Sequence, residues 1–384
     1  MIVDRDHLPQ ELADLPDDLF VRVKDRPEMD QVSKVRADSF YRDAFRRLMK
    51  NRVSVLSICV VLLVIALALL VPQISGYGYT EQNVKLKNIP PRIPVLEKLG
   101  IANGTRKVIG VKPSALNNTS RYPEGSVLKV LRTYTVSGKE ACDALVDMYV
   151  FAGVPEGQYY FFGTDYLGRD IMTRLFKGTQ ISLLIAFISV LTNLIIGVVY
   201  GSVAGFYGGT VDIVLSHLAE VLDGLPYIVV TILFMLLLGS GMFSIILSLT
   251  ITGWIGTARL TRAQYYRFKG REYVLAARSL GVPDRNLIFR HILPNAIGPL
   301  ITRTMIAVPS AIFSESFLAY IGLGIKPPEP SIGVLLSSGQ SVLLQYPYQT
   351  LFPAVLISVL MVAFNMLANG LRDALDPSER GRLQ

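Results

Sequence analysis

Arg271-Glu272-Tyr273-Val274-Leu275-Ala276-Ala277-Arg278-Ser279-Leu280-Gly281, closed by His291-Ile292-Leu293-Pro294-Asn295, is a polar, basic stretch set between long apolar runs. Glu272, Ala276 and Ala277 stand at i, i+4 and i+5, the spacing of one helical face. Gly281 then reads as a helix stop, because glycine enters the left-handed conformation without a Cβ penalty. Pro283-Asp284 is suited to start a second short helix. The expectation is a helix–turn–helix whose small, alanine-lined face is open to a partner's groove.

The surrounding chain is 51% hydrophobic and 18% charged, apolar even for a large globular protein. Its net charge of +8 is concentrated between apolar runs, as in the cytoplasmic loops of membrane proteins, and is not a nucleic-acid signal. Residues 1–52 form a mixed-charge arm that ends in Arg42, Arg46, Arg47, Lys50 and Arg52. The uncharged run 53–71 is long enough to cross a hydrocarbon core of ~30 Å. The arm is too long for the n-region of a signal peptide, so 53–71 reads as a retained first helix with its N-terminus inside.

Residues 72–163 are polar and rich in Pro, Gly, Thr and Tyr, with strand-like runs such as 126–136. They read as a small extracytoplasmic domain containing β-strands. A second span is expected over 181–206, with Gly205, Gly208 and Gly209 making the turn after it. The segment 212–238 starts with Asp212, His217, Glu220 and Asp223 at the inner interface and then turns apolar. The uncharged 224–257 is too long for one crossing, and Gly239-Ser240-Gly241 divides it into the third and fourth spans. Arg259, Arg262, Arg267, Lys269 and Arg271 return the chain to the inner side. The fifth span, 304–325, contains Glu315, and an ionisable group at that depth is a functional candidate. After the stiff Lys326-Pro327-Pro328-Glu329-Pro330 loop, 331–345 suits a short re-entrant or surface helix, and 350–369 is the sixth span. The expected fold is therefore an all-α polytopic membrane protein with six transmembrane helices and both termini cytoplasmic. The core covers 164–370, the basic loop 259–298 and the tail 371–384.

At Glu272, Ala276, Ala277, Gly281, Leu293 and Pro294 the chain resembles the "EAA" loop of bacterial ABC importer permeases. Glu272 stands four residues before Ala276 instead of beside it, and His291 holds an Ile position. Both departures match the dipeptide/oligopeptide/nickel branch. Gly163-Thr164-Asp165-Tyr166-Leu167-Gly168-Arg169-Asp170 is similar to the segment that precedes the second helix there. The 315–324 and 370–377 segments resemble that branch as well. The likeness covers roughly 40–72 and 160–377 and leaves the insert unexplained. For Asp165, Gly168, Arg169 and Asp170, a structural turn and a docking role at the outer face are both open. For Glu315, a structural hydrogen bond and a place in the translocation path are both open.

The resemblance implies a permease subunit that gives short peptides, or nickel or another small solute, a path through the membrane. It implies a second, different permease, two ATPase subunits coupled through the EAA-like loop, and an extracellular substrate-binding protein, all in the bacterial plasma membrane. ATP and magnesium would sit on the ATPases. This chain would hold no cofactor, metal or catalytic group and bind no nucleic acid. No Gly-x-x-x-x-Gly-Lys-Ser/Thr occurs in it, so ATP hydrolysis by a P-loop is excluded. His217 with Glu220 lacks a second histidine for a metal site. An intramembrane hydrolase would need a Ser/His or paired-carboxylate site that the spans do not offer.

Overall fold

A computed structural model describes residues 40–136 and 138–375, so the arm before 40 and the tail after 375 lie outside the described residues. The first helices are α1 (Phe40–Lys50) and α2 (Arg52–Ile74), separated by Asn51. The Asn51 side chain accepts the N–H groups of Val53 and Ser54, so α2 starts with its free donors satisfied.

The insert forms an antiparallel sheet of β1 (Thr105–Val111), β2 (Val127–Val136) and β3 (Lys139–Asp147), in the order β1-β3-β2. Strand β3 is central, and the period of two turns Cys142, Ala144 and Val146 to one face. There they pack with Leu116 and Tyr122. Asp143 points to the other face and binds Arg132 at 2.7 Å and Tyr134 at 3.0 Å.

The second span differs from the expected 181–206. It is one 37-residue helix, α3 (Ile171–Tyr207), which begins at the carboxylate of Asp170. Next come α4 (Gly209–Asp223) and α5 (Tyr227–Leu238), bent by 77° across Gly224-Leu225-Pro226. Pro226 has no N–H and disfavours helical geometry in the residue before it, which accounts for the bend. With 12 residues α5 rises only about 18 Å, so the expected third span crosses a membrane only together with α4.

Gly239, at φ +83°, ends α5 as the Gly-Ser-Gly punctuation predicts. The fourth span is also in two pieces, α6 (Met242–Ile251) and α7 (Ile255–Phe268). A short helix α8 (Glu272–Ser279) follows, then Asp284–Asn286 and a π-helical turn Leu287–Ile292 that leads into α9 (Leu293–Tyr320). The loop is therefore narrower than 259–298, because α7 and α9 take its two flanks. The expected short helix within 331–345 is α10 (Ile332–Gln340), capped by Ser331, and the last span is α11 (Tyr348–Leu375). Among the described residues five helical segments are long and apolar enough to cross a membrane, α6 with α7 counting as one, and six if α4 with α5 is one span.

Apolar side chains of α2, α3, α9, α10 and α11 form one core, including Val64, Ala186, Ile312, Ile332 and Leu360. Helices α3 and α7 approach most closely along Gly197, Gly201 and Gly205. A Cβ at those positions would collide with Thr257, Ala258 and Tyr265 in turn. Small residues four apart are what bring two membrane helices into backbone contact.

Candidate functional site

Helix α8 ends in a Schellman motif. Val282 N–H donates to the Ala277 carbonyl at 3.1 Å, and Gly281 N–H to the Arg278 carbonyl at 3.0 Å. Gly281 takes φ +79°, the left-handed value its position predicts. The expected face is split, however. Glu272 and Ala276 are exposed, but Ala277 is buried beside Val274. A helix turns about 100° per residue, so adjacent positions cannot both lie at the centre of one face. The outward face instead runs through Glu272, Ala276 and Leu280, and Leu280 is 85% exposed. Leu280 went unnoticed in the sequence because a leucine beside a helix stop reads as ordinary core. Leu293 is half-buried and Pro294 exposed in the first turn of α9.

The inner side of α8 rests on the ends of α3 and α7 and on the π turn that leads into α9. Val274 and Ala277 pack with Phe206, Tyr265, Leu287, Ile288 and Ile292. The buried Tyr265 hydroxyl donates to the Ile288 carbonyl at 2.9 Å, within the π turn. Lys269 Nζ donates to the Gly205 carbonyl at 2.9 Å. One turn further, Asp212 of α4 accepts a two-pronged Arg262 pair at 2.5 Å and the Tyr266 hydroxyl at 2.7 Å. The arrangement makes α8 the outer surface of a rigid knot joining four helices. His217 and Glu220 meet at 3.3 Å on the surface of α4, and no group of three metal-ligating side chains forms among the described residues.

Asp165, Gly168, Arg169 and Asp170 lie together at the other end of α3. Asp165 accepts N–H groups of Leu167 (2.9 Å) and Arg169 (3.0 Å) and the Arg169 Nε at 2.7 Å, and pairs with Arg174 Nε at 3.7 Å. Arg174 in turn donates to the Tyr79 carbonyl at 2.7 Å. Asp170 caps α3 by accepting Thr173 N–H at 2.7 Å. Gly168, at φ +73°, abuts the Asn83 carbonyl so closely that a Cβ would overlap it. Asp165, Arg169, Asp170 and Arg174 are all buried. Asn83 N–H reaches Leu167 and Asn88 N–H reaches Asp165, each through backbone bonds. The segment therefore bolts the base of the insert to α3. Arg106 of β1 adds a second tie, to the Tyr346 hydroxyl at 2.7 Å.

Glu315 is wholly buried in α9. Its Oε2 accepts the Ser182 hydroxyl of α3 at 2.9 Å, and Ser182 accepts the N–H of Ile332 at the start of α10 at 3.2 Å. Oε1 has no hydrogen-bond partner among the described residues. Glu315 thus joins α9, α3 and α10 through one serine.

Two family profiles match the chain. One, described as binding-protein-dependent transport system inner membrane component, matches residues 197–381. The other, described as the N-terminal TM domain of oligopeptide transport permease C, matches residues 39–91. The chain is 33% identical to the dipeptide transport system permease protein DppC of Bacillus subtilis, over 97% of this chain and 96% of that protein. It is 44% identical to the oligopeptide transport system permease protein OppC of the same organism, over 60% of this chain and 75% of that protein. It is 34% identical to the DppC of Lactococcus lactis, over 88% of this chain and 91% of that protein.

Proposed function

The chain belongs to the binding-protein-dependent transport system inner membrane components, and from that premise we propose that it is one of two permeases in an ATP-driven importer of short peptides. The second permease is a different chain. Two ATPase subunits dock on the α8 side and carry ATP and magnesium, and a binding protein delivers peptide at the insert side. In this reading the α8 side and both termini face the cytoplasm. The basic clusters 42–52 and 259–271 support that orientation, since Lys and Arg accumulate on the inner side. Peptides are preferred to nickel because the relatives are named for dipeptide and oligopeptide transport.

The observation that carries the reading is α8, with Ala276 and Leu280 turned outward and Val274 and Ala277 rooted in the knot of helix ends. A displacement of α8 by closing ATPases would pass through Phe206, Tyr265 and Ile288 to α3, α7 and α9 together. Ala276→Arg and Leu280→Asp test this without entering the core. Either should weaken ATPase docking by roughly 1–3 kcal/mol, the range for a misfit at a packed contact. The expected outcome is loss of co-purifying ATPase and of uptake, with the chain still in the membrane and bound to its partner permease. Variants that retain the ATPases and transport at wild-type rates would remove α8 as the coupling element.

A further inference from the structure

Arg303 is a cation placed inside the spans. Its guanidinium lies against Gly256 of α7, where a Cβ would collide with Nη2. Thr257, the next residue, meets Gly197 of α3. That contact falls within the part of α3 that carries no charged residue, from Gly178 to Tyr207. The fifth span, expected to begin just after Arg303, begins well before it.

Arg303 is exposed, and no hydrogen bond or ion pair to it forms among the described residues. It shares the open face of α9 with Ile306, Ser310, Phe313 and Phe317, at steps of three and four. A cation on a face turned to hydrocarbon is strongly unfavourable, so this face borders water or protein. The nearby break between α6 and α7 offers little to the guanidinium. The Leu249 carbonyl is taken by Asn193 and the Ile251 carbonyl by Trp254. Gly256, lacking a Cβ, makes room for Nη2, and a planar guanidinium without a partner among the described residues is the group that pairs in two-pronged fashion with a carboxylate.

We propose that Arg303 lines the translocation path and holds the carboxylate of a peptide in transit. This rests on the peptide-importer reading above.

The test uses the complete transporter in proteoliposomes, with binding protein loaded to saturation. The probes are a peptide with a free C-terminal carboxylate and its C-terminal amide, chosen so that both load. Arg303→Gln should slow uptake of the carboxylate form about tenfold, the size of one charge-assisted hydrogen bond, and leave the amide unchanged. Arg303→Lys should fall between, keeping the charge without the fork. Gly256→Ala, which displaces Arg303, should show the same selectivity in weaker form. Equal slowing of both peptides, or no slowing of either, overturns the assignment. Loss of the partner permease on purification would give Arg303 a carboxylate of that subunit instead, and equally overturns it. A wild-type transporter that moves neither peptide would refute the peptide reading itself, a separate failure.

Discussion

Replacing Asp165 by alanine tests whether the base of the insert is bolted to α3. The carboxylate accepts two backbone N–H groups and one guanidinium N–H, and lies 3.7 Å from a second guanidinium. The side chains of Arg169 and Arg174 are 6% and 2% exposed, so neither regains water when the carboxylate is lost. Breaking a buried pair by removing one partner costs about 3–5 kcal/mol, because a charge is left uncompensated. Arg174 keeps its bond to the Tyr79 carbonyl, which places the expectation near ~3 kcal/mol, the lower end of that range. If this energy is lost from docking of the insert, its open population rises roughly 100-fold at ~1.4 kcal/mol per decade. Chymotrypsin cleavage of the insert in lipid nanodiscs reports that population when opening and closing are fast compared with cleavage. The helices would serve as the internal standard, since the lipid protects them. Cleavage of Asp165→Ala at the wild-type rate, in correctly inserted protein, would show that the buried cluster does not hold the insert.

Glu315→Gln should be mild, because it keeps an acceptor for Ser182, while Glu315→Leu strands that hydroxyl and should cost about 1–3 kcal/mol. Thermal unfolding of the purified protein checks both, and wild-type behaviour of both variants would contradict the joint formed by Glu315. Burial pushes the Asp143 carboxyl up, but hydrogen bonds from Arg132, Tyr134, the Gly110 N–H and Lys107 outweigh it and bring it from 3.8 to about 2. A carboxyl depressed on folding stabilises the folded state fully above its ordinary value and loses that contribution as pH falls through the folded one. The β3 amides, corrected for intrinsic exchange, should therefore lose hydrogen-exchange protection as pH drops from 3.8 through about 2, and Asp143→Asn should flatten that dependence.

What was legible in the sequence is what depends on local chemistry and on solvent. Uncharged runs such as 53–71 place helices in a membrane because a hydrocarbon core tolerates no unpaired backbone, and the described α2 follows that run. Gly281 and Gly239 end their helices at the predicted points because a positive φ favours glycine. The polar 72–163 contains strands, as its strand-like runs suggested. Periodicity also limited what was readable on α8. It shows that Ala276 and Ala277 belong to neighbouring directions, but not which one meets Phe206 and Tyr265. Nor does it show that Asp165 is buried against Arg174, or that α4 turns 77° before α5. The joints of this protein pair residues far apart in the chain: Asp212 with Arg262, Glu315 with Ser182, Arg106 with Tyr346. A single sequence carries the local preferences of each partner but not their proximity. Proximity is decided only when helices with glycine-lined faces, α3 against α7 above all, pack closely enough to set the remaining contacts.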